Sequence, residues 1–227
     1  KTRAIKTISR LIPPCAEWRE PFLGGGSMSL YVSRAYPDVK VWVNDLYYPL
    51  YNFWMNLQSD GERLSDTLLD IKDSIGSNQE AHQELFEACK YGMKGEDSFD
   101  AAVSFYVLNK CSYSGLTENS AFSGTASRNN FTRQNIRKLK EYSAIIQHWK
   151  ITNLDYSKVM LKSGRNVCLF LDPPYDIDDY LYGTNKELHR SFDHEKFAQT
   201  VDSCKHKFIL TYNINDFVER RYRKYEQ

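Results

Sequence analysis

The run Val167-Cys168-Leu169-Phe170-Leu171 is apolar without interruption. A short continuous run of this kind reads as a strand buried on both faces of a parallel sheet. Residues 2–12 predict a short helix, stopped by Pro13-Pro14. Trp18 to Leu23 reads as a strand, and Gly24-Gly25-Gly26-Ser27 follows, with Ser27 placed to cap a helix from Met28 to Tyr36. After a turn at Pro37-Asp38, Val39 to Val43 alternates as a strand ending at Asn44-Asp45, and Tyr47 to Leu57 carries apolar residues at helical spacing. The chain thus opens as β-α-β-α, with a glycine-rich first turn and an acid at the end of the second strand.

The pattern then changes. Residues 60–110 predict helices near 62–75, 79–91 and 98–109, divided by Gly76-Ser77-Asn78 and Gly92-Met93-Lys94-Gly95. Residues 111–132 read as a polar loop, and Arg133 to Trp149 as another helix. Alternation resumes with strands over Lys150 to Leu154 and Val167 to Leu171, a helix around Asp193 to Cys204 and a strand from Phe208 to Tyr212. The prediction is an α/β fold: a doubly wound, mostly parallel sheet from 1–57 and 148–227, interrupted by a helical insertion over 58–147.

Composition narrows the class. The chain has 227 residues, 41% hydrophobic and 26% charged, as expected of a soluble globular protein. No apolar run approaches the roughly 18 residues of a membrane span, and no basic-then-apolar leader is seen, so a cytoplasmic location is expected. The five cysteines, Cys15, Cys89, Cys111, Cys168 and Cys204, are scattered without Cys-x-x-Cys spacing, so no zinc site or disulfide framework is expected. The histidines have no ligand-like spacing either. A net charge of +1 means that any nucleic-acid footprint is local. The chain starts at Lys1 and stops within a charged, helical-looking stretch, Phe217 to Gln227, as expected where residues are missing at both ends.

Two constellations carry chemistry. Glycines at the first turn let a backbone approach a ligand closely, and the following helix start offers free N–H groups. Asp45, about twenty residues on, is placed to accept from a ribose diol. This pairing serves a nicotinamide dinucleotide or S-adenosylmethionine equally well, and three glycines also simply make a tight turn. The second constellation is Asp172-Pro173-Pro174-Tyr175, at the end of the buried strand. Ligands bind outside the carboxyl ends of strands in open α/β sheets. The double proline stiffens the exit from the strand. Asp172 and the Pro173 carbonyl offer two acceptors for the N–H bonds of an exocyclic amine, and Tyr175 an aromatic plate beside them. Acceptors aimed at such an amine pull a delocalised nitrogen toward tetrahedral geometry as it attacks a methyl group on a sulfonium.

These stretches resemble the Dam-like DNA adenine-N6 methyltransferases, the D12 class of restriction-modification and phage type. Glu20-Pro21-Phe22-Leu23-Gly24-Gly25-Gly26-Ser27 resembles that family's methionine-binding turn, Asn44-Asp45 its ribose-binding acid, and Asp155-Tyr156 the segment whose acid contacts the cofactor adenine. Asp172 to Tyr175 matches its catalytic tetrad. Of the family's opening Gly-Gly-Lys stretch, Lys1 alone corresponds. The resemblance implies a Rossmann-like methyltransferase fold, S-adenosylmethionine as cofactor, no metal, and the N6 of a flipped-out adenine in double-stranded DNA as target. It implies cofactor contacts from Lys1, Glu20, Pro21, Phe22, Gly24, Gly26, Asp45, Asp155 and Tyr156, and catalysis by Asp172, Pro173, Pro174 and Tyr175. A monomer or weak dimer is expected.

Under that resemblance the insertion reads DNA. Asn109-Lys110-Cys111-Ser112-Tyr113-Ser114-Gly115-Leu116 resembles the start of the family's reading loop. Arg and Asn read base edges bidentately while lysines mainly meet phosphate, which marks Lys110, Tyr113, Ser114, Arg128, Asn129, Arg133 and Arg137 as DNA-contact candidates. Each also fits a solvated loop capping a basic helix. Residues 176–192, with Asp176, Asp178 and Asp179, read as a loop able to close over a flipped base. The alternatives are methyl transfer to cytosine N4, RNA or a protein amide, a nicotinamide-dependent oxidoreductase, and a catalytically silent DNA-binding relative.

Overall fold

The computed structural model describes residues 5–113, 120–174 and 192–225. The chain divides into two compact units, residues 1–46 with 152–227 and residues 47–151.

The chain forms a five-stranded sheet of order β3-β2-β1-β4-β5, with β1 Glu17–Glu20, β2 Lys40–Asn44, β3 Lys150–Thr152, β4 Val167–Leu171 and β5 Lys207–Leu210; β1, β2, β4, β5 and Thr152 of β3 belong to the first unit. β1 pairs in parallel with β2 and β4, and β4 in parallel with β5. Every residue of β4 is buried, as its unbroken apolar run requires. Trp18 and Cys168 are register partners, so side chains of Trp18, Cys168 and Phe170 share one face, while Leu169 and Leu171 share the other. On the first face Trp18 stacks on Phe170 at 6.0 Å and donates Nε1–H to Ser29 of helix α2, Ser27–Ala35. On the second, Leu169 and Leu171 pack with Met160, Phe197, Val201 and Tyr222. These come from helices Tyr156–Met160, His194–Ser203 and Asp216–Tyr222. With helices on both faces, the fold is the doubly wound α/β class that the pattern predicts.

Arg19 is a cation inside this core, 1% exposed. It is fully engaged: Nε donates to Glu17 at 2.8 Å, and the guanidinium to the carbonyls of Val159, Lys162 and Ser163. A buried charge is tolerated only with such partners.

The second unit is helical. α3 Tyr48–Ile75, α4 Gln79–Gly92, α5 Ser98–Cys111, α6 Gly124–Asn130 and α7 Arg133–Ile145 pack chiefly through α3 on α5 and α7, and α4 on α5. From Ala102 to Leu108 α5 is buried all round, with Ser104 the one polar residue in that stretch. Side-chain caps start four of these helices where the sequence places Asn78, Asp97, Ser123 and Thr132. Gly61 lets α3 lie close against α7: a Cβ there would stand 2.4 Å from Ser143 Cβ.

Four expectations are corrected. Gly26, at φ +63°, is the N-cap of α2 and Ser27 its first residue, because a left-handed cap needs glycine. The helices expected over 47–57 and 62–75 are present as the two arms of α3, which meet at a non-helical Asp60, but both arms group with 47–151, so the expected division at 57/58 falls inside α3. The expected polar loop 111–132 contains α6, whose Ser123 cap and short span are easily read as loop. The helix Tyr156–Met160, capped by Asp155, lies in a stretch with no predicted element.

Candidate active site

The sheet order reverses at β1, with β2 on one side and β4 on the other. A crevice outside the carboxyl ends of the strands at such a switch point is the usual ligand site of open α/β sheets. Glu20 ends β1 and Asp172 follows β4, so the two motifs singled out in the sequence meet there.

Past Glu20 the chain turns through Leu23 to Gly26. Gly26 N–H donates to the Leu23 carbonyl at 2.9 Å, and Gly24 holds φ +49°. Gly24 and Gly25 are exposed, and among the described residues no heavy atom lies within 4 Å of where a Cβ would stand on either. Asp45 Oδ2 accepts from Gly24 N–H at 3.0 Å, which ties the end of β2 to the turn. Glu20 is 3% exposed, and its Oε2 accepts from the Ser29 amide at 3.1 Å and from the Ser29 hydroxyl. A carboxylate on free amides of the first helical turn is favoured by the helix dipole. Glu20 therefore fastens α2 to β1.

Asn44 organises the strand ends. Buried at 1% exposure, its Nδ2 donates to the Pro21 carbonyl at 3.1 Å and the Leu154 carbonyl at 2.9 Å. Its Oδ1 accepts from Thr152 Oγ1 and the Leu154 amide, both at 2.8 Å. Asn153 Nδ2 donates to the carbonyls of Asp45 and Leu46 at 2.7 and 2.9 Å. Sequence reasoning passed over Asn44 and Asn153 as functional residues. The available signal was an amide side chain beside each candidate acid, in Asn44-Asp45 and Asn153-Leu154-Asp155.

Asp155 caps its helix, with Oδ1 accepting from the Ser157 amide at 2.9 Å and hydroxyl at 2.5 Å. Partial burial raises its pKa, but the Ser157 hydrogen bonds and the Lys196 and Lys158 charges prevail and hold it below the ordinary value. Tyr156 and Phe22 face each other at 5.3 Å, and both pack on Phe192 and Phe197. They form one aromatic wall.

Asp172 is 8% exposed, and its Oδ1 accepts from Thr211 Oγ1 at 2.8 Å. Thr211 itself is fixed by its amide, which donates to the Leu171 carbonyl at 2.9 Å as β5 ends. Pro173 is buried and Pro174 partly so. Beside Thr211, Tyr212 Oη is hydrogen-bonded with His194 Nδ1. Lys1, Ser114, Tyr175 and the loop 176–191 lie outside the described residues.

In the helical unit, Arg128 donates to Gln79 at 3.1 Å, and Arg133 pairs with Asp73 at 2.5 Å. Asn129 and Arg137 are exposed, as is Tyr113 at 69%. Lys110 lies over the Tyr106 ring, 5.3 Å from its centroid. Among the described residues, no group of three or more His, Cys, Asp or Glu could hold a metal ion, and no helix is long and apolar enough to cross a membrane.

A glycine turn at β1, an acid after β2 and an acid-proline pair after β4 stand together at the carboxyl ends of the strands, where open α/β sheets bind their ligands. Residues 1–227 match the family of D12 class N6 adenine-specific DNA methyltransferases, and the chain belongs to it. It is similar to the Type II methyltransferase M.MjaIII of Methanocaldococcus jannaschii, 24% identical over 193 residues. The match covers 77% of this chain and 66% of that protein, so the chain spans just under two thirds of this relative's length.

Proposed function

We propose that the protein transfers a methyl group from S-adenosylmethionine to the N6 amine of adenine in duplex DNA. The observation that carries this is the placement of Asp172: a buried carboxylate just past the carboxyl end of β4, held by Thr211, next to the strand whose end forms the open glycine turn.

The residues present suit S-adenosylmethionine. The exposed turn at Gly24 and Gly25 leaves room for close approach. Asp45 and Asp155 are acceptors suited to a ribose diol and an exocyclic amine, Phe22 and Tyr156 an apolar wall. Glu20 and Pro21 act on the turn: Glu20 through Ser29 and Pro21 through the Asn44 amide. When bound, the cofactor supplies a methyl group on a sulfonium. Lys1 would complete this set.

Adenine N6 is a weak nucleophile because its lone pair is delocalised into the ring. Asp172 and the Pro173 carbonyl accept its two N–H bonds, draw the nitrogen toward tetrahedral geometry and stabilise the positive charge that develops on it. The Thr211 hydrogen bond holds the Asp172 carboxylate in one rotamer, so little reorganisation is needed as that charge forms. Pro174 stiffens this backbone. Tyr175 stacks on the extruded base, worth about 1–3 kcal/mol against an unpairing cost of a few. The helical unit, through Lys110, Tyr113, Ser114, Arg128, Asn129, Arg133 and Arg137, contacts DNA. The similarity to a Type II methyltransferase supports this reading of the chain as a methyltransferase.

The test is transfer from labelled S-adenosylmethionine to mixed-sequence duplex DNA, followed by nucleoside analysis. N6-methyladenine is expected. Label in N4-methylcytosine, in RNA or in protein would replace the acceptor. Cofactor binding without any transfer would leave a silent DNA-binding relative.

A further inference from the structure

A cavity of about 440 Å³ lies in the helical unit between α5, α6 and α7. α5 lines it with Tyr106, Asn109 and Lys110, α6 with Asn130, and α7 with Asn135 and Lys138. The i, i+3, i+4 spacing of the α5 set puts those three side chains on one helix face. Among the described residues, no acidic side chain lines the cavity.

Two groups in it are under-satisfied. Tyr106 is 4% exposed, and its hydroxyl has no hydrogen-bond partner among the described residues. Lys110 has the Asn109 side-chain carbonyl at 3.3 Å and the Tyr106 ring as its partners. Desolvation pushes the Lys110 pKa down, and among the described residues no carboxylate opposes it. Lys138 has Asn135 Oδ1 at 3.5 Å. Asn135 is held in turn, its Nδ2 donating to the Asn130 carbonyl at 3.0 Å. A partly desolvated ammonium without a counter-charge and a buried hydroxyl without a partner both cost stability. Arg19, in the other unit, shows the contrast: it is buried but satisfied on every side.

Two ammonium groups, a hydroxyl and amide side chains converge here from three helices. Donors set on several sides suit a tetrahedral anion with several oxygens better than a planar carboxylate, and lysines serve phosphate as point charges. We propose that this cavity is a phosphate site, filled by a single backbone phosphodiester of the bound duplex. The choice of DNA as source rests on the function proposed above; a free phosphate or a nucleotide would supply the same chemistry.

The test uses Lys110→Gln, Lys138→Gln and Tyr106→Phe. Phosphate binding requires that Lys110→Gln and Tyr106→Phe melt no lower than the wild type, since each removes an under-satisfied buried group. Duplex affinity should nonetheless fall several-fold for every sequence tested. For the lysine variants the slope of log affinity against log salt should shrink by about 0.9, the share of one phosphate that is no longer neutralised, while Tyr106→Phe leaves the slope unchanged. In a second arm, orthophosphate at constant ionic strength should raise the melting temperature of the wild type but not of the Lys110→Gln, Lys138→Gln double variant. A phosphate response with an unchanged salt slope would keep the site and assign it to a free anion. A lowered melting temperature with unchanged slope and no phosphate response would make Lys110 structural and overturn the proposal. If the wild type bound no duplex at all, the DNA reading would fail alone, while the orthophosphate arm would still decide the cavity.

Discussion

The polar side chains of the two units are treated in opposite ways. In the α/β unit each candidate carboxylate already has a donor inside the protein: Gly24 for Asp45, Ser157 for Asp155, Thr211 for Asp172. Asn44 uses both ends of its amide four times over. In the helical unit a lysine and a tyrosine hydroxyl stand largely out of water with no counter-charge or partner among the described residues. The first arrangement is preorganised, because its groups keep their geometry while chemistry occurs. The second stores a deficit that a ligand can relieve. Under the functions proposed above, the contrast is between a site that acts and a surface that binds.

The strongest way to break the comparison is Asp172→Ala. If the carboxylate works on the amine, transfer should fall by about 10²–10³-fold or more with cofactor affinity unchanged. Turnover by transfer assay and affinity by calorimetry check this, and near-normal turnover would remove Asp172 from the mechanism. Next is Asn44→Ala, which strands the Leu154 amide and two carbonyls at the strand ends. A loss of about 2–4 kcal/mol in denaturant unfolding is expected. A value under half of that would mean water replaces the amide.

Gly61→Ala probes the packing of the helical unit. The new methyl meets Ser143 and should cost about 1–3 kcal/mol. Gly61→Ala with Ser143→Gly should recover part of it. Thr211→Val keeps shape and removes the hydrogen bond to Asp172. The expected result is about a tenfold lower kcat with unchanged KM for cofactor, since one positioning hydrogen bond is removed. Thr211→Ser should restore the rate, and a Val variant as fast as wild type would show that Asp172 holds its own rotamer.

The smallest effect concerns pH. His82 is 4% exposed, with Lys72 Nζ 2.9 Å from its Nε2 and Ser127 Oγ hydrogen-bonded to its Nδ1. Burial foremost pushes its pKa below the ordinary 6.5; the Gly76 carbonyl opposes this, and the Lys72 charge adds to it. A basic group whose folded pKa is depressed binds fewer protons folded than unfolded. Stability is therefore full above 6.5 and falls as pH drops from 6.5 toward the folded value. Thermal melts from pH 8 to about 5 should show this slope. His82→Gln should flatten it; an equal slope in the variant would assign it to other groups.

How much of this was legible follows from how local each feature is. β4 and the residues after it could be read because an unbroken apolar run and a double proline state their own backbone preferences. Asn78 and Asp97 cap their helices through amides two or three residues away, an equally local signal that the reading of the sequence did not use. The family resemblance placed Asp45, Asp155 and Asp172 in one site. Local sequence misjudged the cap of α2, because Gly26 works through its φ and not through a side chain, and it left α6 as loop.

The sequence by itself determined the strands and the long helices, the alternating order that forces a parallel sheet, and the acids and glycines that stand at strand ends. Tertiary structure alone decided which acceptor meets which donor. Asn44 reaches Leu154 across 110 residues, Asp172 meets Thr211 across 39, and Tyr106 shares a cavity with Lys138 on another helix. Such pairings carry no periodicity and no local propensity. They exist because the burial of apolar faces fixes the backbones first, and polar groups must then find partners among whatever that packing brings near.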